Sequence, residues 1–172
     1  MYKSFFKRFF DILCALLLLI VLSPIMIIVA VLIKLDSKGP AIFKQIRSGK
    51  NGKNFTLYKF RSMTCNNDFY DKSEEDQVTK VGAFIRKTSL DEIPQIINIF
   101  VGDMSVIGPR PMIQEEVDDY GKNKAKLLSM RPGLTGWWAC NGRSCTSNKQ
   151  RKKLELYYID NCSIWLDIKI IF

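Results

Sequence analysis

Asp91 and Glu92 stand side by side in TSLDEIPQ (residues 88–95), two residues before Pro94 in an otherwise basic chain. Adjacent carboxylates can supply a nucleophile, a general base or ligands for a hard divalent cation. They also fit an ordinary helix start. Ser89 with Glu92 matches the S-x-x-E capping box, acids are favoured in a first helical turn, and Pro94 suits a turn whose N–H groups have no intrahelical partner. The stretch alone admits both readings. Histidine is absent, which removes the commonest general base and zinc ligand, so acid–base work falls to carboxylates, Lys, Tyr or Cys.

Cations accompany these acids along the chain. Lys59 and Arg61 close an apolar-alternating run, Arg86 and Lys87 precede the acids, and Arg110 lies between Pro109 and Pro111. Arg131 and Arg143 bracket RPGLTGWWACNGR. An arginine between prolines has restricted backbone freedom, which suits bidentate contact with phosphate; singly, each of these residues is equally an ordinary solvated cation. Twenty-six Lys and Arg against 17 Asp and Glu give a formal charge of +9. That balance suits an anionic partner: a membrane surface, a phosphorylated substrate or nucleic acid. No ribonucleoprotein, zinc-finger or helix-turn-helix pattern is present, so nucleic acid is not expected. The five cysteines (Cys14, Cys65, Cys140, Cys145, Cys162) are odd in number and lack secreted-module spacing. Reduced thiols are the expectation, rather than a disulfide framework or a metal site.

The elements that must position these groups begin with an anchor. Ile12 to Ile33 contains no charged residue and is long enough to span a bilayer. Ser23 and Pro24 sit at its middle, where proline removes a donor and the serine hydroxyl can reach back to the carbonyl of Ile20. Lys3, Lys7 and Arg8 precede the run, and Lys34, Lys38, Lys44 and Arg47 follow it. The positive-inside rule asks for both flanks in the cytoplasm, which a re-entrant helix broken at Ser23-Pro24 satisfies. Residues 41–63 read as a β-hairpin around Ser48–Asn54, with Phe43, Ile46, Phe55, Leu57 and Phe60 packed. The acidic stretch 66–77 reads as a solvated loop. Helices are expected over 81–86, 91–100, 114–130 and 147–161, with a short apolar strand in SVIGPRP (105–111). SIWLDIKIIF (163–172) reads as an interfacial amphipathic segment, with a strand as the alternative. It stops without a polar tail, as a truncated chain would. The expected fold is thus α+β, mainly helical and membrane-associated, with a membrane helix in residues 1–36 and a catalytic domain in 37–172.

LYKFRSM, RKTSLDEIPQIINIFVGDMSVIGPRP, RPGLTGWWACNGR and YYIDNCSIWLDIKII occur in this order, and the similarity they carry extends over essentially the whole chain. Together with the Ser-Pro-centred helix they resemble the small monotopic phosphoglycosyl transferases of the bacterial sugar transferase family. Trp138 and Cys140 depart from the family's usual Ala and Val. The resemblance implies a re-entrant helix and a catalytic core on the cytoplasmic face of the bacterial inner membrane, carried by interfacial helices among phospholipids. It implies transfer of a sugar phosphate from a UDP-sugar to polyprenyl phosphate with release of UMP, the first membrane step of glycan assembly. Asp91 would then be the nucleophile, forming an aspartyl phosphosugar, and would hold Mg²⁺; Glu92 would assist the acceptor or the metal. Placed at a helix N-terminus, Asp91 is expected to be readily ionised. Arg110 is the expected phosphate contact, with Lys59, Arg61 and Arg143 as further substrate contacts and Arg86 at lipid headgroups. Two rivals remain, a non-catalytic basic membrane-bound adaptor for anionic lipid or polymer and a membrane-tethered nucleic-acid binder.

Overall fold

The long apolar run forms α1 (Lys7–Asp36), one helix of 30 residues that continues through Pro24. The computed structural model describes residues 6–64, 77–142 and 147–172, so the acidic stretch 66–76, Arg143, Cys65 and Cys145 lie outside the described residues. The Ser23 hydroxyl donates to the carbonyl of Ile20 at 3.0 Å, the acceptor that proline at position 24 cannot serve. The break expected at Ser23-Pro24 is therefore not an interruption of helix. One side of α1 is covered, with Ala15, Val29 and Ile33 buried, while Leu17, Ile20, Val21, Ile27, Ile28 and Leu35 are exposed.

Both ends of α1 are tied to the rest of the chain. Near its start, Arg8 donates to the carbonyls of Ile99 and Phe100, and Asp11 accepts from the Ser105 hydroxyl and the Val106 N–H. Near its end, Asp36 accepts the Val81 N–H, and Arg61 donates to the carbonyls of Ile33, Ser37 and Lys38. A cation satisfying the last carbonyls of a helix is a C-terminal cap.

β1 (Ile42–Ser48) and β2 (Asn54–Phe60) form the expected antiparallel hairpin. Phe55, Leu57 and Phe60 are buried, but Phe43 and Ile46 are 47% and 59% exposed. The core is taken by β2, which is docked on α3 (Gln95–Val101), and β1 is the outer strand. α2 (Lys80–Lys87) begins at a Thr79 cap. α3 ends at Gly102, whose φ of 104° needs glycine. β3 (Ser105–Ile107) pairs in parallel with β4 (Gly133–Thr135), a pairing that sequence patterning did not indicate.

The single helix expected over 114–130 is divided into α4 (Gln114–Asp118), a 3-10 turn at Gly121–Asn123 and α5 (Lys124–Leu127). Gly121 adopts φ 51°, which a continuing helix cannot contain. After α6 (Trp137–Cys140) comes α7 (Asn148–Asn161), started by a reciprocal Ser147–Gln150 capping box. The C-terminal segment is a helix, α8 (Ile164–Ile171), capped by Ser163, with Trp165 77% exposed. Among the described residues, then, the fold is mostly helical, with two small sheets and one long apolar helix. Cys14, Cys140 and Cys162 form no disulfide among the described residues.

Candidate active site

Asn98 fixes the geometry of the site. Its fully buried amide accepts the Tyr58 N–H at 3.1 Å and donates to the Thr56 carbonyl at 2.7 Å. The side chain thus completes the free edge of β2 as a strand would, and docks α3 on the strand that carries Lys59. The 3-10 turn Leu90–Glu92 precedes α3, so the same bonds bring Glu92 to Lys59, 3.1 Å apart. Both side chains are partly exposed, and a pair of that kind contributes about 0–1 kcal/mol to stability. Its value is positional.

Two expectations about the acids are corrected. Ser89 lies in the left-handed region, at φ 57°, and makes no capping bond; Glu92 turns to Lys59 instead. The capping box read from S-x-x-E therefore does not form. Asp91 sits in the 3-10 turn before Pro94, outside the first turn of α3. Burial raises its pKa above the usual aspartate value, and the repulsion of Glu92 adds to this; Lys59 and Arg86 oppose the shift without cancelling it. A half-buried carboxylate is thus harder to ionise here than an exposed one, the reverse of the helix-terminus expectation.

Next to Glu92 opens a cleft of about 200 Å³ whose lining includes Arg47, Lys59, Glu92, Gln95, Arg110 and Trp138. Leu134 of β4, the strand paired in parallel with β3, is part of its lining. Beyond β3 the chain enters Pro109-Arg110-Pro111, and beyond β4 it enters α6, so both strands deliver a residue to one place. The Arg110 guanidinium lies over the Trp138 ring, 5.7 Å from its centroid, a cation–π contact.

Arg110 is also held from behind. Its N–H donates to both oxygens of Glu155 at 3.1 Å, and Glu155 is 1% exposed on α7. Burial pushes the Glu155 carboxyl up to about 8, against the lowering effect of the Arg110 N–H and of the Arg151 and Arg110 charges. The folded chain therefore retains a proton that the unfolded chain gives up. The resulting stability is complete below the ordinary glutamate range and is lost as pH rises toward 8. Glu155→Gln keeps an acceptor for the Arg110 N–H and abolishes this titration. The wild-type melting temperature in detergent should fall between pH 6 and pH 9, and the variant's should stay flat; parallel profiles would show that Glu155 does not carry the effect.

Of the residues expected from sequence, Lys59, Glu92 and Arg110 meet at the cleft, with Asp91 electrostatically coupled to Lys59 and Glu92. Arg86 is exposed, its guanidinium 3.8 Å from the Met63 sulfur, and its charge is felt at Asp91. Arg61 is elsewhere: it is 5% exposed and its guanidinium donates to carbonyls at the end of α1, which it holds. Arg47, Gln95, Trp138 and Glu155 were not foreseen. For Glu155 a signal did exist, since it lies three and four residues before the buried Tyr158 and Ile159 and so falls on their helical stripe.

The residues present fit a hard cation of the Mg²⁺ type. No group of three or more candidate ligands occurs among the described residues, but Mg²⁺ bound to a phosphorylated substrate needs only one or two carboxylates. Asp91 and Glu92 are the adjacent carboxylates that would supply those.

Residues 2–172 match the family described as bacterial sugar transferase. The chain is 41% identical over 167 residues to EpsL of Bacillus subtilis, an uncharacterized sugar transferase, a match covering 96% of this chain and 83% of that protein. It is 40% identical over 189 residues to the undecaprenyl-phosphate galactose phosphotransferase of Salmonella typhimurium, covering 99% of this chain and 40% of the relative. To the UDP-glucose:undecaprenyl-phosphate glucose-1-phosphate transferase of Klebsiella pneumoniae it is 44% identical over 179 residues, covering 97% and 38%. The chain thus spans about two-fifths of the length of the last two relatives.

Proposed function

Since the chain belongs to the bacterial sugar transferase family, we propose that it transfers a sugar phosphate from a UDP-sugar to polyprenyl phosphate and releases UMP. The observation that carries this reading is the meeting of Glu92, Lys59 and Arg110 at one cleft, with Asp91 next to Glu92 in the chain and within electrostatic reach of Lys59. Phosphoryl transfer between two anions calls for positioning and charge neutralisation above all. Lys59 and Arg110 answer that demand at the phosphates, and the elevated pKa of Asp91 makes its ionised form a more basic nucleophile.

In the first step an Asp91 carboxylate oxygen bonds to the β-phosphorus of the UDP-sugar. The bond from that phosphorus to the bridging oxygen breaks, and UMP departs with the electron pair. In the second step an oxygen of polyprenyl phosphate attacks the same phosphorus and the Asp91 carboxylate leaves, giving polyprenyl diphosphate sugar. Glu92, held by Lys59, is placed to orient the acceptor phosphate. Mg²⁺, held by Asp91 with Glu92 beside it, would supply screening of the phosphate charge. UMP release from a panel of UDP-sugars, with polyprenyl phosphate and Mg²⁺ present, tests the reading. If none of them yields UMP, the adaptor alternative takes its place.

We place the protein at the cytoplasmic face of the inner membrane, with α1 re-entrant. Support comes from the attachment of both ends of α1 to one folded body and from the uninterrupted apolar outer side between them. A straight helix of this length would extend about 45 Å, beyond the roughly 30 Å hydrocarbon core. A simple span would therefore separate contacts that the chain makes together. In a cysteine-free background, Lys3→Cys and Lys38→Cys should both be shielded from an impermeant thiol reagent applied to intact cells. Labelling of either from outside would refute re-entry.

A further inference from the structure

A second basic cavity, of about 250 Å³, shares no lining residue with the cleft at Glu92. Its wall includes Lys7, Arg8, Asp11, Lys50, Ser105 and Arg131. Two arginines converge there on the end of α3. Arg8 donates to the carbonyls of Ile99 and Phe100 at 2.6 and 2.9 Å, and Nε of Arg131 donates to the carbonyl of Gly102 at 2.7 Å. Helix capping accounts for those bonds. It does not account for the two terminal nitrogens of Arg131 or for the Lys50 ammonium, which have no partner among the described residues.

The local acids do not neutralise this group. Lys7 is paired with Asp167, and one oxygen of Asp11 accepts from both the Ser105 hydroxyl and the Val106 N–H, its charge acting on Lys7 and Arg8. Arg8, Lys50 and Arg131 thus face the charge of Asp11, with Asp103 also acting on Arg8. The adjoining cleft adds Lys53 and Asp103, which cancel in charge. Cations gathered without counter-ions repel one another, and a bound anion relieves that repulsion.

Position identifies the source of the anion. Phe9 and Phe10, directly after Arg8, are exposed, as are Phe100 and Val101 at the end of α3. The apolar outer side of α1 begins at this point, so on the membrane placement proposed above the cavity would lie where a bilayer changes from hydrocarbon to headgroup. We propose that the cavity binds the phosphate group of an anionic phospholipid headgroup. The site is separate from the chemistry proposed at Asp91 and does not depend on it.

Lys50→Glu is the informative substitution, because this hairpin-turn side chain has no partner among the described residues and no place in the catalytic machinery. The full chain is reconstituted with equal phosphatidylglycerol and phosphatidylcholine, and the lipid retained after detergent extraction is counted by native mass spectrometry. Wild type should enrich phosphatidylglycerol, and enrichment should fall about fivefold for each cation removed, as expected for a basic side chain at an anionic surface. The Lys50→Glu/Arg131→Gln protein should approach parity. A second arm titrates inorganic phosphate into lipid-free protein and follows the phosphorus resonance. Broadening with wild type but not with Lys50→Glu, without lipid enrichment, would assign the same cavity to free phosphate rather than to a headgroup and overturn the lipid assignment. Equal phosphatidylglycerol retention by wild type and both variants, with no broadening, would overturn the site altogether.

Discussion

Asp91→Asn should abolish UMP release, by a factor on the order of 10⁴ to 10⁶, while leaving the protein folded. Removing the nucleophile of a covalent mechanism has an effect of that size. The substitution is isosteric, and Asp91 makes no helix cap whose loss could unfold the region. Stability should even gain slightly at neutral pH. Burial raises the Asp91 pKa, so the native state binds a proton more tightly there than the unfolded chain does. The corresponding stability is present at low pH and lost as pH rises through the folded-state value; asparagine carries no such loss. The same shift predicts that wild-type turnover declines as pH falls, beginning above the ordinary aspartate range. Incubation with UDP-sugar alone should leave a sugar-phosphate adduct on the peptide containing Asp91, visible by mass spectrometry. An active Asp91→Asn protein, or wild type that never forms the adduct under single-turnover conditions, would return the two acids to a structural role.

Glu92→Gln separates the two acids, since it keeps the side chain's length and removes its charge opposite Lys59. Under the proposed mechanism this variant still forms the adduct but transfers it slowly to the acceptor.

What was legible in the sequence depended on how local its cause was. The β1–β2 hairpin, the Gly102 stop, the Ser147 start of α7 and the helix-back bond of Ser23 each follow from residues within a few positions of one another. The meeting of Lys59, Glu92 and Arg110 was legible as a set of motifs, but nothing in those motifs disclosed how they come together. That rests on contacts between distant positions: Asn98 with Thr56 and Tyr58, and Ser105–Ile107 with Gly133–Thr135. A three-residue strand has too little periodicity to be read, and its partner lies beyond two helices. Arg61 was read as a substrate contact for a related reason. An arginine near a cluster of phosphate-type motifs looks like a ligand until the carbonyls at the end of a helix some 25 residues earlier are found beside it.

Lys7→Met should destabilise the fold by about 3–5 kcal/mol, the range for breaking a buried ion pair from one side. Lys7 and Asp167 lie 2.6 Å apart with both side chains 8% exposed. Asp167 also accepts the Tyr158 hydroxyl at 2.6 Å, and Tyr158 is itself almost fully buried. The methionine variant strands a carboxylate among these groups, while Asp167→Leu strands the Lys7 ammonium and frees the tyrosine hydroxyl. Because each single change leaves an uncompensated buried group, the double change Lys7→Met/Asp167→Leu should cost much less than the sum of the two. Chemical denaturation in detergent, with a double-mutant cycle, measures the difference. Additive effects would mean that the pair is not a unit. A strongly non-additive result would show that the first turn of α1 and the C-terminal α8 are joined through one buried contact. On that account the loss extends beyond stability, because Lys7 precedes Arg8 and Asp11, which bind α3 and β3. Loosening the start of α1 would therefore reach, through α3, the turn that carries Asp91 and Glu92.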